Sequence, residues 1–459
     1  MRKTLAIFAF WVYDNIDIIF IIGDEMTPTL YKITPAVNLR AIQTDRFKNA
    51  QLSVSFILPV EKDTAPLTTL LFSVLRRGTE QYPTIRHLNH ALDMLYGASL
   101  SYRNTFFGDA QVIGFVLETL GARYLPAGEQ TSTLAKGLHV IEQMLYHPLK
   151  DENGLLRADT VQSEIKNTCD DIRAQINDAR SYAHMRLREC MCQDEPYGLS
   201  LVGKAEQVQS FTPEMLTAHH KELLERARIE CFYVGSDNPE EVAALLADVF
   251  QKSPMRQAPM PKTVILPAPA QVRRVTEDLQ VAQGKLDIGF RTGITPDHPD
   301  SIAQSVFNEI FGGNSVSRLF LNLREKKSLC YHCYSATVAH KGILNVSCGI
   351  LPQNKQIAEQ EIFTQLERMQ NKLVSKSELK IAQKSLINVL RQCTDSPAAL
   401  QAFWFGRQVF YGATTTPEQC IERVKAVTAQ DVMRVARAVV PDTVYFLNGT
   451  LTEKEAQDE

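Results

Sequence analysis

No stretch of this 459-residue sequence supplies the roughly 20 uninterrupted apolar residues that a membrane-spanning helix needs. The apolar run Leu5 to Tyr13 follows Arg2 and Lys3 as the start of a secretory signal would, but Asp14 and Asp17 interrupt it and no small-residue cleavage site follows. The natural start is expected at Met26, with residues 1–25 an upstream over-read; a structured N-terminal strand is the plain alternative. A surplus of either charge is missing too. Forty-nine basic against 52 acidic residues leave a net charge of −3, which argues against a dedicated nucleic-acid surface. Nine scattered cysteines give no disulfide framework and read as reduced thiols of a cytoplasmic protein. No GxxxxGK[ST] phosphate loop occurs. Cys330-Tyr-His-Cys333 has no second pair at zinc-ribbon spacing, and on a regular strand its two thiols would face apart.

What remains is ordinary globular material, 44% hydrophobic and 22% charged, in a chain too long for one core. It carries an internal repeat. Gln51-Leu-Ser-Val-Ser-Phe56 alternates polar and apolar residues with the period of a half-buried strand, and Lys285-Leu-Asp-Ile-Gly-Phe290 does the same. Phe211-Thr-Pro-Glu-Met-Leu216 opens a helix leading to Ile229-Glu-Cys-Phe-Tyr-Val-Gly235. Val427-Thr-Ala-Gln-Asp-Val432 likewise leads to Thr443-Val-Tyr-Phe-Leu-Asn-Gly449. Each helix starts at a capping threonine, and each strand is β-branched or aromatic before its glycine. Pro254, Pro259, Pro261, Pro267 and Pro269 mark a linker over 252–272. It separates a first domain, 26–251, from a second, 273–459.

Helical stripes are clear. Leu67, Leu70, Leu71, Val74 and Leu75 line one face before Gly78; Ile85, Leu88, Leu92 and Leu95 form the next stripe before Gly97. Ser375 and Glu378 are spaced as a capping box. Long helices mixed with strands in each half give an α+β class.

Arg76-Arg-Gly-Thr79 followed by Leu95-Tyr-Gly-Ala-Ser-Leu100 resembles the opening of the insulinase-type (M16) peptidases. Gly312-Gly-Asn-Ser-Val-Ser-Arg-Leu-Phe320, Leu323-Arg-Glu-Lys326 and Leu329-Cys-Tyr331 resemble that family's C-terminal half. The resemblance spans about residues 30–450. It implies two tandem homologous α/β-sandwich domains with mixed, mostly antiparallel sheets. It also implies that a zinc-binding His-x-x-Glu-His should fall on residues 69–73, yet Thr69, Phe72 and Ser73 stand at its three ligand and base positions. Zinc hydrolysis needs three protein ligands, an open water position and a carboxylate to take the water's proton. None of the five residues is a substitute, so no metal or other cofactor is expected in this chain. The family's third ligand would fall near Asp170 and Asp171.

Rescue elsewhere is weak. His139-Val-Ile-Glu142 and His219-His-Lys-Glu222 lack the second histidine, and His87 and His90 lack a neighbouring general-base glutamate. By the resemblance, Arg324 and Tyr331 match a pair that reaches a bound peptide, with Gly312, Gly313, Asn314 and Ser315 as the loop contacting it. A guanidinium and a phenol can both donate to a peptide carbonyl where negative charge develops; a local ion pair and a strand aromatic are the plain alternatives. Gln111-Val-Ile-Gly-Phe-Val-Leu-Glu118 is expected either at an edge that docks peptide by strand addition or as an interior strand. The pattern implies the non-zinc subunit of a heterodimer whose zinc-bearing M16 paralogue supplies the metal, acting on peptide. In isolation the chain could pair with itself. The alternative is a peptide-binding or scaffolding pseudopeptidase.

Overall fold

The computed structural model describes residues 17–19, 26–126, 133–251, 259–281 and 283–450. The apolar run from Leu5 and the linker's Pro254 lie outside them. The chain divides into two compact units that are not contiguous in sequence. One comprises Met1–Ile172, Ser200–Lys262 and Cys393–Thr414; the other comprises Arg173–Leu199, Thr263–Gln392 and Thr415–Glu459.

The first unit is built on seven strands: β1 (Asp17–Ile19), β2 (Thr29–Thr34), β3 (Val37–Gln43), β4 (Asn49–Pro59), β5 (Ser99–Phe107), β6 (Ala110–Leu120) and β7 (Arg228–Gly235), in the order β1-β2-β3-β7-β4-β6-β5. Among the described strands of this sheet, only β3 and β7 run parallel. The second unit has β8 (Arg273–Leu279), β9 (Gly284–Arg291), β10 (Cys330–Val338), β11 (Ile343–Ile350) and β12 (Val440–Gly449), in the order β10-β11-β9-β12-β8. Here only β12 and β8 run parallel. The five-strand order thus reproduces β5-β6-β4-β7-β3, parallel pair included. The repeat seen in the sequence is a repeat of topology.

The helices follow the sequence signals closely. In chain order they are α1 (Thr64–Leu75), α2 (Ile85–Asp93), α3 (Thr133–Tyr146), α4 (Ala158–Ala174), α5 (Ala179–Met191), α6 (Ala205–Gln209), α7 (Pro213–Arg226) and α8 (Pro239–Phe250). Then come α9 (Ser301–Asn308), α10 (Lys355–Asn371), α11 (Lys376–Gln392), α12 (Pro397–Tyr411), α13 (Pro417–Ala426) and α14 (Ala429–Ala438). Thr212 caps α7 by accepting from the Met215 N–H, and Thr428 closes a capping box with Asp431 on α14. The Ser375–Glu378 box forms at α11, each side chain accepting from the other residue's N–H. In α2, Leu88 and Leu92 are buried but Ile85 is exposed, so the predicted stripe is narrower at its start.

One expectation changes. The polar residues of Gln51–Phe56 do not face water: Gln51, Ser53 and Ser55 are buried as fully as Leu52, Val54 and Phe56. Helix α12, from far along the chain, lies over that face. Gln401 donates to Ser53 Oγ at 2.6 Å and accepts from Gln51, while Trp404 and Phe405 join Val112, Phe232 and Val234 in a second apolar layer. In the second unit α5 plays the same part, with Ala183 and Leu187 packed on Tyr445 and Leu447. The central strands of each sheet are therefore buried on both faces, while the edge strands β5 and β8 are not.

Candidate functional site

Helix α1 follows β4 and presents Thr69 and Phe72 toward β5 and β6. Thr69 is 7% exposed and its hydroxyl is fully engaged. It lies 2.5 Å from the Leu201 carbonyl oxygen and 3.0 Å from that of Ala65, and it accepts from Asn104 Nδ2 at 2.9 Å and Gln111 Nε2 at 3.2 Å. Ser73 bonds back to the Thr69 carbonyl at 3.3 Å. Phe72 is wholly buried, its ring 5.4 Å from Phe56, 5.3 Å from Phe115 and 6.2 Å from Tyr102. Burial pushes the Tyr102 phenol up to about 12, and the Arg76 guanidinium lies 5.3 Å over its ring. Hydrophobic rings and neutral hydrogen-bonded groups fill the place, and this donor set does not fit zinc. Asn104 and Gln111 could not have been picked out from sequence, because nothing but the β5–β6 pairing brings them to Thr69.

The other metal candidates are dispersed. Asp170 and Asp171 stand exposed on α4. His139 is engaged with Glu142 Oε2 at 3.0 Å and Gln81 Oε1 at 2.8 Å. His219 shares a 2.7 Å hydrogen bond with Thr68, and His220 one of 2.8 Å with the Leu145 carbonyl. Burial lowers both imidazoles, that of His220 to about 4. His87 bonds its own cap, Thr84, at 2.8 Å. Among the described residues no three His, Cys, Asp or Glu side chains gather as a metal site.

In the second unit, two π-helical turns carry the residues singled out by the sequence. Glu309–Gly313 holds the glycines and Phe320–Lys326 holds Arg324. Such wide turns recur at functional positions. Gly312 is required sterically, since a Cβ there would come within 2.6 Å of Ser335 Oγ and 2.7 Å of its backbone nitrogen. Asn314 donates to Glu309 Oε2 at 2.8 Å and accepts from the Val316 N–H at 2.9 Å, which closes the loop and leaves Gly313 and Ser315 exposed. Arg324 keeps 47% of its side chain exposed, 3.7 Å from Glu325 and 4.8 Å above the Phe320 ring. Ser328, in the left-handed region, then turns the chain into β10.

Tyr331 is the inserted residue of a β-bulge. Cys330 pairs with Ile350 and His332 with Gly349, leaving Tyr331 without an opposite number and 56% exposed. The same bulge corrects the expected placing of the two thiols. Cys330 and Cys333 point to one side, into the core, where their hydrogen bond and burial raise the Cys330 thiol. Cys333, raised by burial, also bonds Cys348. One extra residue shifts the alternation by one step, so the i, i+3 pair meets.

Strand β6, which holds Gln111–Glu118, is interior, paired with β4 on one side and β5 on the other. The edge of the first sheet on that side is β5. The first unit also has a mostly apolar cleft of about 540 Å³, lined by Leu58, Thr68, His219, Leu223, Arg226 and Met260 among others, which no sequence motif announced.

Comparison with known proteins agrees with this geometry. Residues 210–386 match the family description "Peptidase M16 inactive domain". The chain is 31% identical over 409 residues to the probable inactive metalloprotease YmfF of Bacillus subtilis strain 168, covering 89% of this chain and 95% of that protein. In fold it is similar to a conserved protein from Enterococcus faecalis V583, with a TM-score of 0.85 at 24% identity over 93% of this chain and 100% of that one. A peptidase M16 inactive domain from Pseudomonas fluorescens gives 0.74 at 17% identity, over 93% and 99%. A relative matched over nearly its whole length, on a fold shared with solved M16 domains, shows that this chain belongs to the peptidase M16 family.

Proposed function

We propose that this chain is the non-zinc subunit of a two-chain M16 peptidase. A zinc-bearing paralogue supplies the metal and the general base, and this chain supplies peptide-binding groups. The carrying observation is a contrast between two sets of residues. Thr69 and Phe72 are buried, the Thr69 hydroxyl is engaged by its neighbours and Ser73 bonds back to its own helix, whereas Arg324 and Tyr331 stand exposed on a π-helical turn and a bulge. Both features re-aim side chains at some cost in regular pairing. In the assembled pair, Arg324 and Tyr331 donate to the peptide carbonyl as its oxygen becomes negative, and Gly312, Gly313, Asn314 and Ser315 form the adjoining loop. Edge strand β5 offers unpaired backbone groups for an extended peptide. The nine cysteines, none of them paired in a disulfide, fit a reducing cytoplasmic setting.

The test is purification of the native complex followed by Arg324→Ala in this chain. Assembly should persist while turnover falls about 100- to 1,000-fold, the usual effect of losing one transition-state donor. Unchanged turnover would remove the catalytic role.

A second reading, a peptide-binding or scaffolding pseudopeptidase, is favoured by the local engagement of Arg324 with Glu325 and Phe320. Under it the chain purifies alone or self-paired, and Arg324 is dispensable to any peptidase activity.

A further inference from the structure

Six buried side-chain atoms that lack a hydrogen-bond partner fall on one face of the second sheet: His184 Nδ1, Asp287 Oδ1 and Oδ2, His332 Nε2, Asn345 Oδ1 and Ser347 Oγ. Buried polar groups are normally paired, so the concentration needs an explanation. The register supplies the layout. Tyr334, Ser347, Asp287 and Tyr445 form one row across β10, β11, β9 and β12, on the face away from the core. Helix α5 covers this row. Leu187 and Met191 fill the space above Gly289, and His184 brings Nδ1 to 4.0 Å from Asp287 Oδ2. Asp287 itself is 1% exposed.

The groups around that carboxyl are turned elsewhere or neutral. On β12, the Tyr445 hydroxyl donates to Glu277 at 2.8 Å. On β9, Lys285 Nζ donates to Gln283 Oε1 at 3.3 Å. On α5, the Arg180 guanidinium lies 4.6 Å over the Tyr334 ring of β10. The Ser347 hydroxyl on β11, with Arg180 and Lys285, favours the ionised form, but closes no bond to it. On β10, burial and the same two cations lower His332 to about 4. Behind the sheet, Cys333 and Cys348 are thiols raised by burial. Burial pushes the Asp287 carboxyl up to about 7, while burial, Arg188 and Arg180 hold His184 below its ordinary value. Burial thus favours the protonated carboxyl, which faces an imidazole whose own proton affinity is lowered.

We propose that Asp287 and His184 form a pH-sensitive latch that holds α5 against the second sheet, firm when the carboxyl is protonated and loosened when it ionises. The protonated carboxyl buries no charge and can offer its O–H to His184 Nδ1. The ionised carboxylate is a charge with no closed hydrogen bond in a nearly dry site, and water stabilises it better. Undocking returns the group to an ordinary aspartate, so the docked state holds a proton that the undocked state has lost. Docking therefore weakens as pH rises from the ordinary aspartate value of 3.8 to about 7, and levels off above it. The latch sits on the segment Arg173–Leu199, which belongs to the second unit although the chain on either side of it belongs to the first.

Native-state hydrogen exchange of the full chain, read by mass spectrometry at pH 5.5 and 7.5 and corrected for intrinsic rates, tests the proposal. Protection of the α5 amides should fall roughly 20-fold across that interval, as one proton linkage of this size requires. Helix α12 is an internal control, because its buried polar contacts, Gln401 with Gln51 and Ser53, do not titrate. Asp287→Asn should flatten the α5 response while leaving the helix docked. Constant α5 protection, an equal loss in α12, or an undiminished response in Asp287→Asn would each overturn the latch. The first two readouts need only the unmodified protein, so a variant that fails to fold does not shield the idea.

Discussion

Gln111 Nε2 lies 3.2 Å from Thr69 Oγ1 and 3.0 Å from Asn104 Oδ1, so the polar side chains at the degenerate metal position bond one another. The position is a packed structural element, although Gln111 Oε1 and the Tyr102 hydroxyl lie buried there without a hydrogen-bond partner.

Rewriting the motif should therefore not recreate a zinc site. Phe72→Glu removes a ring packed among three others and buries a carboxylate, at an expected cost of about 4 kcal/mol or more. The triple variant Thr69→His, Phe72→Glu, Ser73→His should lower the urea midpoint sharply without gaining zinc. Stoichiometric zinc by metal analysis, with the midpoint unmoved, would contradict the reading of this position as packed structure.

Lys341 is completely buried, 2.6 Å from Glu195 Oε2 and 2.5 Å from the Val264 carbonyl oxygen. Arg291 joins the same group, bonding Glu195 at 2.5 Å and Asp442 at 2.9 Å. Breaking one member leaves the others uncompensated, so Lys341→Met should cost about 3–5 kcal/mol. Adding Glu195→Gln should restore part of that. A double-mutant cycle by denaturant unfolding measures the coupling; purely additive losses would mean the network has no cooperative value.

The same network gives a stability profile on the acid side. Burial by itself would raise the Glu195 carboxyl, but hydrogen bonds from Arg291 and Lys341 bring it below the ordinary glutamate value. A depressed folded value means the stabilisation is complete above the ordinary value of 4.5 and is lost as pH falls through the folded one. Unfolding free energy should thus drop on acidification below about pH 4.5, and drop less steeply in Glu195→Gln. Parallel profiles for the two proteins would remove Glu195 as the source.

Thiol accessibility offers a check on the bulged strand. Cys190 and Cys393 are half-buried, and the other seven cysteines are buried. A thiol-labelling reagent should modify the first two in the native protein and reach Cys330, Cys333 and Cys348 only on unfolding. Rapid native labelling of Cys330 would show that the bulge at Tyr331 opens.

Much of this fold is legible in short windows. The β4 and β9 alternations, the capping threonines at 212 and 428, and the Ser375–Glu378 box all depend on neighbours a few residues apart, and all formed. The vacancy of the zinc motif is equally local: Thr69 and Ser73 offer only weak hydroxyl donors and Phe72 none, where zinc takes imidazole, thiolate or carboxylate. What covers the polar faces of β4 and β9 could not be read. Alternation predicts water on one side, yet α12 and α5 arrive from elsewhere in the chain to bury Ser53 and Asp287.

The sequence by itself determined the element types, the repeat and the loss of the zinc-binding motif, because each rests on side-chain identity and near-neighbour spacing. Only the tertiary structure decided that Gln111 lies on an interior strand against Thr69, that Tyr331 is turned outward, and that Asp287 is sealed beneath a helix. Those outcomes depend on strand order, on a single inserted residue in β10, and on long-range packing. Side-chain identity carries no signature of any of the three.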